Sequence, residues 1–220
     1  YPSFDTIAGS GPNGAIIHYR SDKFSNRIIK KTDLLLVDSG GQYKWGTTDV
    51  TRTICFSRVS NKIKEIFTRV LKGHIAVALT DIKKQKNGHN IDIIARKNLN
   101  SVGLDYRHGT GHGVGAFLNV HEGPQSISKN NYVKLKEGMI LSNEPGFYKK
   151  NEFGIRIENL VFIKKINSKL LFENLTMAPI DTDLINHKML NKEEKKYLFK
   201  YHFDVYNNIS PFLNNKEKKW

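Results

Sequence analysis

The sequence predicts an α+β domain on three observations: an early pair of apolar strands, a second such pair nearer the end, and two amphipathic helical stretches between them. Leu34–Ser39 is an apolar run closed by Gly40-Gly41, and Thr47–Phe56 is rich in β-branched residues, so the two read as strands joined by a turn. From 61 to 83, Ile63, Ile66, Phe67, Val70, Leu71 and Ile75 recur at helical spacing with lysines on the other face. The spacing predicts a second helix over Ile91–Val102, with Asn90 as its N-cap and Gly103 just past its end. The apolar faces of both helices read as core.

Gly109–Gly115 reads GTGHGVG, with a glycine at every second position, which signals backbone freedom or a close approach of other chain. Gly111–Ala116 fits the G-x-G-x-x-A form of a dinucleotide fingerprint. No apolar strand leads into it and no β-α-β unit surrounds it, so that match is rejected. Met139–Asn143 and Gly154–Ile163 form the second strand pair, separated by Pro145-Gly146 and a polar connection. A helical pattern runs over Asn191–Tyr206, and the Lys/Asn-rich end, Pro211–Trp220, is expected to fray. No linker divides the chain, so residues 1–220 read as one domain with a helical tail over 191–220.

Composition narrows the function classes. With 39% hydrophobic and 25% charged residues the chain has enough apolar material to fold. Its longest uninterrupted aliphatic stretch, Leu34–Val37, is far below the roughly 18 residues of a membrane span, so no membrane partner is expected. The net charge of +14 raises the question of nucleic acid. The lysines are scattered beside asparagines, as at Lys129–Asn131, with no aromatic-interleaved basic stripe, and that reading is set aside. Cys55 is the only cysteine, which excludes an intrachain disulfide and a cysteine-rich zinc module and points to a reducing, cytoplasmic compartment. Residue 1 is Tyr, and the chain reads as an internal or processed piece with sequence missing upstream.

The chemistry sits on the strand pairs. Asp38 ends one strand of the first pair and Asp49 lies on the returning strand; Glu144 and Glu158 are placed in the same way on the second. Each acid is embedded in apolar strand, a costly position without a partner. One alone reads as a surface or salt-bridged carboxylate. Four converging would protonate or repel unless cations neutralise them, which argues for two divalent metals with His112 of the glycine loop as a fifth ligand. Such an oxygen-rich set suits Mn²⁺ and also accepts Zn²⁺ or Co²⁺. Paired metals activate water and polarise a carbonyl, so hydrolysis is expected. H-E-x-x-H and G-x-S-x-G are both absent from the sequence.

The blocks DTIAGSGPNGAIIHY, DSGGQYKWGTTDVTRT, HGTGHGVG, NVHEGP, NEPGFY and GIRIEN resemble the eukaryotic Xaa-Pro aminopeptidases from Ser3 to about Asp181. The resemblance implies the pita-bread fold, two α+β halves around a central, mostly antiparallel sheet. It implies that Asp38 chelates one metal, His112 and Glu144 the other, and that Asp49 and Glu158 bridge them. His18 and His121 would serve catalysis and substrate binding, His108 would line a proline pocket, and Arg156 would orient carboxylates from behind. His18, after two isoleucines, otherwise reads as a core histidine. Peptides with proline at position 2 would be the partners, and a homodimer is implied. Trp45 and Lys149–Asn151 depart from the family in turns, and Phe147 stands where a tyrosine is common, removing a hydroxyl near the site. Because family members carry further N-terminal domains, these 220 residues alone are expected to keep the metal site with little or no peptidase activity. The rivals are a prolidase or methionine aminopeptidase of the same fold, and an inactive pita-bread binding module.

Overall fold

Strands β1 (Ile7–Ser10), β2 (Leu34–Ser39), β3 (Gln42–Tyr43), β4 (Gly46–Thr47) and β5 (Val50–Cys55) open the chain. In the computed structural model every residue is described except Ala116, Leu118 and Trp220. The last position of the rejected glycine fingerprint and the end of the tail therefore lie outside the described residues. β2 is the centre of an antiparallel sheet, with β1 on one edge and β5 on the other. Its Leu34 and Leu36 face inward while Leu35 and Val37 are half-buried, as strand alternation requires. The expected strand over Thr47–Phe56 is interrupted: Thr48 and Asp49 lie between β4 and β5 and pair with neither.

Helix α1 (Asn61–Ala78) is capped by Ser60, which accepts from the Ile63 N–H. It ends short of Lys83, and a separate turn, α2 (Ile82–Gln85), follows. Phe67, Val70, Leu71 and Ile75 of α1 are fully buried against Ile155 and Ile157. Helix α3 (Gly88–Asn100) starts earlier than expected. Its cap is Asn87, whose side chain accepts from Asn90 N, so Asn90 is the receiver in that bond. Helices start where a free backbone donor meets an acceptor, and two asparagines in one turn offered competing choices.

The remaining strands are β6 (Gly111–His112), β7 (Ser126–Ile127), β8 (Ile140–Asn143), β9 (Gly146–Lys149), β10 (Phe153–Arg156), β11 (Asn159–Ile166) and β12 (Lys169–Asn174). The second strand pair differs from the expectation. Gly154–Ile163 is two strands: β11 pairs with β8 and β12, whereas β10 pairs with β9, a segment read from sequence as connection. Ile157 and Glu158 fall in the break. Helix α4 (Lys192–Ile209) begins with a reciprocal capping box between Asn191 and Glu194 and buries Leu198, Tyr201 and Val205. Two short 3₁₀ turns follow it. No described helix is long and apolar enough to cross a membrane.

Candidate metal centre

Strand β5 runs beside β10 and the residues that follow it, and hydrogen bonds stitch the two segments together. Glu158 N donates to Thr51 O (3.1 Å), Arg156 N to Thr53 Oγ1 (3.0 Å), and Thr53 Oγ1 to Arg156 O (3.1 Å). A cavity of about 380 Å³ opens along this seam, and Asp38, Asp49, His112, Glu144 and Glu158 all line it. His112 reaches it because the glycine loop packs tightly. A Cβ on Gly111 would stand 1.9 Å from Ser142 O, and one on Gly113 2.0 Å from Glu122 O. The glycines there serve close approach, with no positive φ needed.

His112 Nδ1 faces Gly113 O at 3.0 Å, which turns Nε2 toward the acids, 3.4 Å from both Asp49 Oδ2 and Glu144 Oε1. Ligand atoms of Asp49, His112 and Glu158 lie within 4.8 Å of one another. Glu158 Oε2 accepts from Thr51 Oγ1 (2.7 Å), and Glu144 Oε1 from Ser142 Oγ (3.0 Å). Asp38 is turned differently: Oδ2 takes Arg156 Nη2 at 2.6 Å, while Oδ1 is buried with no hydrogen-bond partner.

Electrostatics mark the pocket as deficient in positive charge. Burial raises the Glu144 carboxyl to about 7. Burial, then the charges of Glu144, Asp49 and Asp38, push Glu158 well above the usual range. Burial raises Asp38 as well, although Arg156 opposes it. For His112, burial alone would lower the imidazole, but its hydrogen bond to Asp49 and the charge of Glu144 outweigh that and raise it. Four converging carboxylates, three of which (Asp38, Glu144 and Glu158) resist ionising, an imidazole aimed at them and an orphaned carboxylate oxygen are the donor set that divalent cations satisfy. The residues therefore fit a metal pair.

Around this cluster the other expected residues take separate places. His18 and His121 line the same pocket, both exposed at its mouth, so the core alternative for His18 does not hold. The rings of His121 and His112 are 4.1 Å apart, edge on. Burial, then the charge of His112, lowers the His121 imidazole. His108 lies on the far wall, and burial lowers it to about 4. Its Nδ1 meets Gly109 O at 2.7 Å, so Nε2 accepts from Tyr148 Oη (2.8 Å), which in turn accepts from Arg156 Nη1 (2.8 Å). Arg156 thus links Asp38 to His108 through Tyr148, and its Nε holds Thr51 Oγ1 at 3.0 Å.

Tyr148 corrects one expectation: the hydroxyl is not lost at Phe147, which packs in the core near Phe153, but supplied by the next residue. Thr51 and Arg52 were also missed. The half-buried Arg52 guanidinium holds Glu158 O, Asn159 Oδ1, Ala178 O and Tyr201 Oη, tying the seam to α4. The signal available was T-x-D-V-T-R-T itself, polar residues at alternate positions of a strand that should have been apolar on one face.

The carboxylate cluster fits a metal pair, and together with the fold it places the chain in the class of pita-bread metallohydrolases. Metallopeptidase family M24 matches residues 1–165, and the C-terminal region of peptidase M24 matches residues 169–220. The chain belongs to metallopeptidase family M24. A probable Xaa-Pro aminopeptidase P of Laccaria bicolor is 50% identical over 96% of the chain and 35% of its own length. Aminopeptidase P2 of Arabidopsis thaliana is also 50% identical, over 96% of the chain and 31% of itself. The X-prolyl aminopeptidase of Caenorhabditis elegans, described as a cytosolic enzyme with a di-nuclear active site, superposes with a TM-score of 0.91 at 38% identity, covering 99% of this chain and 37% of that one. Prolidase from Pyrococcus furiosus gives 0.70 at 33% identity, covering 80% and 49%. The chain spans about a third of the length of the curated relatives it matches.

Proposed function

We propose that residues 1–220 are the catalytic domain of a metal-dependent aminopeptidase that hydrolyses the bond between an N-terminal residue and a penultimate proline. The observation that carries this is the convergence of Asp38, Asp49, His112, Glu144 and Glu158 on one buried cavity. Those five would hold two divalent cations, Mn²⁺ by the oxygen-rich donor set, with Zn²⁺ and Co²⁺ accommodated. When bound, the pair supplies Lewis-acid polarisation of the peptide carbonyl and lowers the pKa of water toward neutrality.

The chain's own groups do the positioning. Thr51 fixes Glu158, Arg156 fixes Asp38, and Gly113 O fixes the His112 tautomer, so the donors are set before any ligand arrives. His18 and His121, which line the mouth, would hydrogen-bond the scissile amide and its developing oxyanion. Partial desolvation at the mouth and the charge of His112 lower the His121 imidazole, which favours its neutral form for proton exchange there. His108, oriented by Tyr148, shapes the wall for the proline ring. The near-complete superposition on the nematode X-prolyl aminopeptidase and the 50% identity to a probable Xaa-Pro aminopeptidase P support the aminopeptidase reading. A cytoplasmic location and a homodimer complete the reading, in keeping with the lone Cys55 and with the family resemblance.

Metal analysis of the intact protein together with peptide assays tests this. Two equivalents of divalent ion and release of the first residue from an Xaa-Pro-Xaa tripeptide are expected. Preference for the Xaa-Pro dipeptide would move the assignment to a prolidase, and absence of metal would make the chain a binding module.

A further inference from the structure

The rim of the cavity carries a pair of charges with no part in the proposed reaction. Asp5 and Arg20 both line the pocket, and Arg20 Nη2 meets Asp5 Oδ2 at 3.2 Å. Their side chains are 77% and 81% exposed, so the pair adds little to stability. It does aim the guanidinium while leaving most of its donors free: among the described residues, Nε and Nη1 of Arg20 have no hydrogen-bond partner. The pocket's other arginine is the reverse case. Arg156 is 2% exposed, and its three nitrogens are spent on Thr51, Tyr148 and Asp38. Arg20 is therefore the one arginine or lysine lining the pocket that can offer a free guanidinium edge to an incoming ligand.

The direction of the peptide follows from the reaction, and on this point the inference rests on the aminopeptidase reading. Cleavage next to the ammonium end puts that end at the metal cluster, so the rest of the peptide leaves past the rim. An anionic group there meets Arg20, and a guanidinium fork suits a carboxylate. We infer that Arg20 is a specificity-determining residue that binds a substrate carboxylate beyond the proline, with Asp5 orienting it. That carboxylate is either the C-terminus of a short peptide or an acidic side chain.

The test compares kcat/KM in the intact, metal-loaded protein for an Xaa-Pro-Ala free acid, its C-terminal amide, and amidated Xaa-Pro-Asp and Xaa-Pro-Asn. The wild type should favour the charged member of at least one pair, by about threefold at an exposed site, through KM. Arg20→Ala should erase that ratio, Arg20→Glu should invert it, Arg20→Lys should keep its sign, and high salt should shrink it. A response to the free acid identifies the C-terminus as the source, and a response to the Asp peptide identifies the side chain; either supports the inference. Equal ratios in wild type, Arg20→Ala and Arg20→Glu, with the amide still cleaved, would overturn it and leave the aminopeptidase reading intact. Failure of the wild type to cleave any Xaa-Pro peptide would remove both.

Discussion

The two strand pairs that carry the acids hold them differently. In the first, Asp38 sits within β2 opposite Thr51, and Asp49 lies beyond the last rung, Ser39–Val50, so the two acids are offset. In the second, the last rung is Asn143–Asn159, and Glu144 and Glu158 both lie just beyond it. Like charges held close together in a buried site repel. Glu158 shows this, since after burial the charge of Glu144 is the strongest influence raising its carboxyl. Asp38 instead has Arg156 at 2.6 Å to offset part of its burial. The first pair thus has a built-in cation that offsets part of its charge, while the second holds a repulsion that bound cations would relieve.

The strongest test of that contrast removes one acid from each side. Glu158→Gln and Asp49→Asn should both reduce turnover to background, because each takes away a donor that the other four cannot replace. Their effects on the metal-free fold should differ. Glu158→Gln removes the repelled charge and should raise stability by on the order of 1 kcal/mol, while cancelling the stabilisation that added metal confers. Thermal unfolding with and without divalent ion reads this directly. Retained turnover in either variant would break the assignment of donors, and an unchanged metal-free melting point in Glu158→Gln would break the contrast.

Arg156→Met attacks the first pair. It strands Asp38 in a buried site and should cost about 3 kcal/mol in denaturant unfolding. Adding Asp38→Asn should recover much of that loss, because the uncompensated charge is then gone. Simple additivity of the two losses would show that Arg156 matters through packing or through Tyr148, and not as the partner of Asp38.

These contrasts also explain what could be read from the sequence. Asp38 was legible because an acid ending Leu-Leu-Leu-Val has few bland explanations, and the glycine alternation around His112 announced a close approach that Ser142 O and Glu122 O supply. The helices were legible by periodicity, with ends misplaced where capping choices competed. The breaks that free Asp49 and Glu158 from strand pairing were not legible. Thr48 and Ile157 have the same β-forming character as their neighbours, so nothing local marks the loss of pairing. Pro145-Gly146 read as a turn, yet Gly146 opens β9, because pairing with β10 decides its state. Thr51 and Arg52 stood out only as polar residues in T-x-D-V-T-R-T, and that pattern does not reveal their partners more than a hundred positions away.

The two pairs are also clasped to different helices, the first to α4 through Arg52 and the second to α1. His74 of α1 faces Asn143 O through Nδ1 at 3.1 Å, and Asn143 Nδ2 donates to His74 O at 2.9 Å. Burial lowers the His74 imidazole to about 3. Its native form is therefore neutral, and the unfolded chain binds the extra proton below its ordinary value of about 6.5. The contribution of His74 is complete above pH 6.5 and is lost as pH falls from there toward 3, at up to about 1.4 kcal/mol per pH unit. His74→Gln should flatten this acid limb in stability measured against pH. Hydrogen exchange in acid should open β8 before β2; opening in the reverse order would place the acid-sensitive point elsewhere.

The smallest effect expected is at Tyr148, where the two pairs communicate. Its hydroxyl accepts from Arg156 and donates to His108 Nε2, but Arg156 keeps Asp38 and Thr51 without it. Tyr148→Phe should cost about 1–2 kcal/mol, since two partly buried hydrogen bonds are lost while the Arg156–Asp38 ion pair stays in place. What it removes is the donor that fixes the His108 tautomer and ring angle. KM for an Xaa-Pro tripeptide should rise by about fivefold with kcat nearly constant, the signature of weakened binding on the proline side. Nitrogen chemical shifts of His108 should show a mixed tautomer in the variant. A fall in kcat comparable to that of Glu158→Gln, with the His108 tautomer unchanged, would mean that Tyr148 serves the acids through Arg156 and that the two strand pairs are less separable than their registers suggest.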